Sequence, residues 1–128
     1  MAGLSKLRTG NWLLYTRENQ YCTFIAKDDY VVVEMFDRQR RILETEIALI
    51  KLTKYFLPSC KFIQYGSDWK KQVNGKTLSL SFKDDYAYLS VDGGKNELVS
   101  HLHTLQNLHF VITGEVLNPN IYGIHDPG

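Results

Sequence analysis

Asn74-Gly75 separates two runs that read as extended chain, and this one dipeptide constrains the fold more than any other feature of the sequence. A two-residue hairpin loop needs left-handed backbone at both positions, which Asn and Gly tolerate. Beyond the dipeptide, Leu78, Leu80 and Phe82 fall on one side of a strand over Thr77 to Lys83, and Thr77, Ser79 and Ser81 on the other. A period of two with one apolar side marks a half-buried antiparallel strand. Trp69 to Val73 supplies the strand before the turn, Lys61 to Tyr65 another, and Tyr86 to Val91 pairs back after Asp84-Asp85. The second half of the chain is therefore an antiparallel meander.

The first half has the same plan. Trp12 to Thr16, Tyr21 to Lys27 and Tyr30 to Phe36 are rich in aromatic and β-branched residues. Arg17 to Gln20, Asp28-Asp29 and Asp37 to Arg40 separate them, and Arg41 to Glu44 is a short fourth strand. Lys27-Asp28-Asp29-Tyr30 recurs as Lys83-Asp84-Asp85-Tyr86. Either an old duplication or two tight turns with the same need for Asp would produce that repeat.

Each meander is expected to lead into a helix. Thr45 is placed to cap the first, and Leu49, Leu52, Thr53 and Phe56 share one helical stripe before Pro58 ends it. Asn96 is placed to cap the second, which runs to about Thr113 with Gly114 as its left-handed stop. At about 100° per residue, Leu98, Leu102, Leu105, Leu108, His109 and Ile112 gather on one stripe. The fold class is α+β: two antiparallel β-meanders, each followed by a helix, the first short enough to curl into an SH3-like small barrel.

With 128 residues the chain suits one domain, taken as 1–117, followed by a tail over 118–128 whose Ile121, Tyr122 and Ile124 predict docking. A net charge of +1 creates no global field for nucleic acid or acidic membrane. Cys22 and Cys60 lie in apolar runs and read as reduced core thiols, with one disulfide as the alternative. Met1 to Arg8 has no apolar run of the length that a signal peptide or membrane span needs, which predicts a cytoplasmic protein with no membrane partner.

Both ends of the chain carry a recurring pattern. Leu7-Arg8-Thr9-Gly10-Asn11-Trp12 resembles the opening L-R-x-G-N-W/Y of a group of small uncharacterised proteins from Bacteroidetes genomes, prophages and conjugative elements. His103 to Leu117 resembles their closing H-x-L-Q-N-L-x-F-x-L-T-G-E-E-L, with Ile112 in place of Leu and Val116 in place of Glu. The middle matches loosely, around Leu49 to Leu57. The resemblance implies a bacterial or phage origin and an accessory gene. It implies no activity.

Three groups of residues are candidates for binding. On the last helix His103, Gln106 and Asn107 lie off the leucine stripe, so they read as an exposed polar face able to donate and accept; a solvated face, or side chains serving neighbouring backbone, is the simpler reading. Arg38, Arg40 and Arg41 crowd one hairpin and suit phosphates or acidic side chains, or are a solvated turn. Tyr86 and Tyr88 share one strand face and, with Tyr65 and Trp69 nearby in sequence, offer an aromatic surface, or pack beneath a helix. His109, inside the stripe, reads as a core histidine with one ring nitrogen hydrogen-bonded.

No metal-ligand spacing, phosphate loop or nucleophile elbow is present in the sequence, and no acid–base pair stands out. The expectation is a protein that is not an enzyme and holds no metal or cofactor. The leading reading is a protein-interaction module of phage or mobile-element origin with a protein partner. The alternative is a nucleic-acid-binding accessory protein, and a third reading is an anti-defence protein that sequesters a small ligand.

Overall fold

The computed structural model describes residues 7–36 and 38–122. Expectations placed on Met1 to Lys6, on Asp37 and on Gly123 to Gly128 lie outside them. The chain divides into two compact units, Met1–Ile50 and Lys51–Gly128.

The first unit is built on a five-stranded antiparallel sheet of order β4-β3-β2-β1-β5. Its strands are β1 (Trp12–Tyr15), β2 (Gln20–Lys27), β3 (Val31–Met35), β4 (Arg38–Ile42) and β5 (Ile47–Leu49). Alternation decides what is buried: Val31, Val33 and Met35 point to one side of β3 and join Leu13, Tyr15, Cys22, Phe24, Ile42 and Ile47 in one core. A shift in the β2–β3 register between Phe24 and Ala26 marks a bulge, which bends β2. The opening sequence pattern forms a turn. The Arg8 N–H donates to Asn11 Oδ1 (2.8 Å), the Asn11 N–H to the Arg8 carbonyl (3.0 Å), and Gly10 takes φ +96°. Asn11 is buried, so these residues hold the entry to β1.

The second unit has a five-stranded antiparallel meander in the order β10-β9-β8-β7-β6. It comprises β6 (Ile63–Tyr65), β7 (Asp68–Val73), β8 (Lys76–Lys83), β9 (Tyr86–Val91) and β10 (Glu97–Leu98), and α1 (Leu102–Thr113) follows. Asn74 and Gly75 turn with φ +51° and +79°, as a two-residue loop requires. Val73, Leu78, Leu80, Ala87 and Leu89 are buried on the inner face. Two polar contacts fix α1 on that face: Asn74 Nδ2 donates to the Thr113 carbonyl (2.7 Å), and Lys71 Nζ meets His109 Nε2 (3.1 Å). Gly114, at φ +78°, ends the helix, and its N–H donates to the Phe110 carbonyl.

The helix expected to start at Thr45 does not form. Glu44–Glu46 is one 3-10 turn, closed by the Leu43 N–H donating to Glu46 Oε1 (2.9 Å), and Ile47–Leu49 is strand β5. Lys51 then bridges to His101, and Lys54–Phe56 is a second 3-10 turn. The cause is tertiary: β5 pairs with β1 through Tyr15↔Ile47, Leu14↔Ala48 and Leu13↔Leu49, which outweighs helix propensity. The last helix also starts later than expected. Its N-cap is His101 rather than Asn96, because Glu97 and Leu98 pair with Leu89 and Tyr88.

The repeated tetrapeptide makes two different turns. Lys83 pairs directly with Tyr86, with Asp84 and Asp85 both left-handed at φ +53° and +68°. Lys27 pairs instead with Val31, and Asp28 Oδ1 accepts the Tyr30 N–H (2.9 Å). Among the described residues no helix is long and apolar enough to cross a membrane.

Candidate functional site

The outer face of the second sheet is set by strand register. Directly paired residues point to the same side, so Tyr65, Asp68, Ser81, Tyr88 and Leu98 form one row across all five strands. Ile63, Lys70, Ser79 and Ser90 form the next row. The middle of this face is therefore short hydroxyl side chains, with large apolar groups at both margins. Ile63 is 62% exposed, Tyr65 60%, Tyr86 53% and Leu98 51%, while Tyr88 is half-buried. Alternation within β9 already assigned Tyr86 and Tyr88 a common face. Tyr65, grouped with them by nearness in sequence, joins this face, whereas Trp69 pairs with Leu80 and turns to the other; Ile63 and Leu98 were missed, because only the β6–β7 and β9–β10 registers bring them to it.

Arg38, Arg40 and Arg41 lie along strand β4 and not in a turn. Arg38 and Arg40 share the side of Met35 and Val33, their partners on β3, and Arg41 takes the other side. Arg40 Nη1 donates to Glu18 Oε2 (2.9 Å) and its guanidinium lies 5.2 Å over the Tyr15 ring. The hydrogen bond it donates to Glu18 raises its already high pKa further. Arg41 stands 3.7 Å from Asp28 Oδ1 and 4.9 Å over the Tyr30 ring. Two of the three cations thus have carboxylate and aromatic neighbours. Arg38 and Arg40, with Glu18 and Phe36, line an open cleft of about 610 Å³.

The helix residues are not brought together as an exposed face. His103 and Gln106 are both 5% exposed and Asn107 is half-buried. Gln106 Nε2 donates to the Leu117 carbonyl (3.0 Å), and Leu117, Pro119 and Ile121 are buried. The segment after α1 returns over the polar side of the helix, which moves the buried sector away from Leu108 and Ile112. His103 stacks on His101 with ring centres 5.6 Å apart, and its Nδ1 is buried with no hydrogen-bond partner among the described residues. Burial, and secondarily the charge His101 would carry, pushes the His103 pKa down to about 4. His109 is core: its Nδ1 meets the Glu115 carbonyl at 2.8 Å. Burial lowers its pKa too, with the Glu115 contact opposing and Lys71 assisting.

Cys22 and Cys60 are free and fully buried, and burial pushes both thiols up to about 12. Neither is a nucleophile near neutral pH. Among the described residues no three His, Cys, Asp or Glu side chains are grouped to hold a metal ion. Comparison with protein-family models, with curated proteins and with solved structures found no match.

Proposed function

We propose that the protein is a non-enzymatic protein-interaction module, of phage or mobile-element origin, that docks a partner on the outer face of its second sheet. One observation carries this reading. Four large apolar side chains, Ile63, Tyr65, Tyr86 and Leu98, are each more than half exposed on that face. Apolar groups exposed at both margins of a rigid sheet favour association, and tyrosine gives contact area at low entropic cost. Lys70 and Lys83 on the same face, against Asp68, suit a partner with an apolar strip bordered by acidic residues. The first unit supports an SH3-like small barrel in its strand order and in the 3-10 turn between β4 and β5.

The test is a pull-down from bacterial lysate with nuclease-treated and untreated arms, using the natural chain and a Tyr65→Ser, Leu98→Ser variant. The variant should lose the captured protein while its stability changes by about 0.5 kcal/mol or less, as surface changes do. Equal capture by both chains would remove this face from the function. Capture that disappears only in the nuclease arm would favour nucleic acid at the Arg38 to Arg41 edge.

A further inference from the structure

The outermost strands of the two sheets differ in what guards them. Strand β4 carries three arginines, β5 has Ile47 buried with Ala48 and Leu49 half-buried, and β10 carries Glu97. Strand β6 has none of these guards: Ile63, Gln64 and Tyr65 are uncharged and all exposed.

The β6–β7 register fixes which backbone groups of β6 face outward. Tyr65 and Asp68 flank the two-residue loop Gly66-Ser67, so they form a hydrogen-bonded pair. Such pairs alternate along an antiparallel ladder, which makes Gln64↔Trp69 a non-hydrogen-bonded pair. The Gln64 N–H and carbonyl therefore point away from β7, and neither has a backbone partner among the described residues. Phe62, two residues earlier, points the same way, and its N–H donates to the Leu57 carbonyl (3.0 Å). The open edge thus centres on Gln64, with one donor and one acceptor that a further strand would satisfy.

This strand is complementary to itself. When two copies meet antiparallel about Gln64, each Gln64 N–H donates to the other copy's Gln64 carbonyl. Ile63 then faces the second copy's Tyr65 in a non-hydrogen-bonded pair, where side chains lie closest. Each row across the junction runs Lys70, Ile63, the second copy's Tyr65 and its Asp68, so no like charges meet. From this register we infer that the protein forms a two-fold dimer in which β6 pairs with β6 of a second copy and the two sheets join edge to edge. The inference concerns the backbone edge and does not rest on what the outer face docks. With three residues per strand the interface is small, so the dimer is weak and concentration-dependent.

Sedimentation equilibrium from micromolar to millimolar protein should show monomer passing to dimer. Gln64→Pro removes the one N–H of β6 that faces the open edge, a position where an edge strand accepts proline. It should weaken dimerisation about thirtyfold, as loss of two hydrogen bonds per dimer does. The substitution keeps the outer-face side chains, so pull-down capture should survive it even as the dimer is lost. Ile63→Glu and Tyr65→Lys should each weaken the dimer, and the double variant should restore it. Only this register sets the new carboxylate at 63 against the new amine at 65 of the other copy. A natural chain that stays monomeric at millimolar concentration would overturn the inference. So would a folded Gln64→Pro protein that dimerises as the natural chain does, or a folded double variant no better paired than the single ones.

Discussion

Lys71 Nζ can only donate, so its contact with His109 Nε2 fixes the imidazole as the neutral tautomer with its proton on Nδ1, which donates to the Glu115 carbonyl. Protonating His109 would set two cations 3.1 Å apart. His103 is also held neutral, its pKa down from 6.5 to about 4. A histidine whose folded pKa is lowered binds fewer protons folded than unfolded. Its contribution is therefore complete above pH 6.5 and lost as pH falls toward 4. For His103 that is of order 3 kcal/mol, at about 1.4 kcal/mol per pKa unit. Urea midpoints should drop across this window, and His103→Leu should flatten the drop; a flat profile in the natural chain would show that His103 is not shielded as described. The thiols give a second residue-scale prediction. A thiol reagent should leave the native protein unmodified and find both cysteines only in denaturant, whereas rapid native labelling of either would contradict their burial.

Leu105 has no exposed surface, and Leu105→Ala should cost about 2 to 5 kcal/mol in denaturant unfolding. Gln106 is polar yet ties α1 to the segment that follows it. Gln106→Ala leaves the Leu117 carbonyl without its donor and should cost about 1 to 3 kcal/mol. A cost near zero would mean that water replaces the side chain. These two residues also show what a sequence can disclose about an element. Leu105 was legible from the 3.6-residue period, as were the Asn74-Gly75 turn, the strand after it and the Gly114 stop, because all are local. Burial of His103 and Gln106 was not, since what covers them is a later segment with no periodicity. Strand β5 was hidden for a related reason. Leu49, Leu52, Thr53 and Phe56 satisfy a helical spacing by themselves, and only the β1 edge beside Ile47 to Leu49 makes an extended chain the better choice there. For the candidate face, Tyr86 and Tyr88 were readable within one strand and Tyr65 from its nearness in sequence, but Ile63 and Leu98 needed the pairing of five.

At the scale of the whole molecule, charge is distributed locally and nearly cancels, with a net +1. Arg40 and Arg41 already face Glu18 and Asp28. Replacing Arg38, Arg40 and Arg41 with alanine should therefore leave capture of a protein partner unchanged. A large loss of capture would move the binding surface to β4. The two sheets also end differently. Strand β4 closes one end of the first with three arginines, and all but Ile42 of its residues are exposed. Strand β6 closes one end of the second with Ile63, Gln64 and Tyr65, all exposed, and carries neither charge nor proline. An outermost strand of that kind is a template for another chain's backbone, whereas a charged one repels it. Light scattering should therefore rise with concentration during storage, and Gln64→Lys should suppress that rise; a rise unchanged by the substitution would exclude β6 as the template.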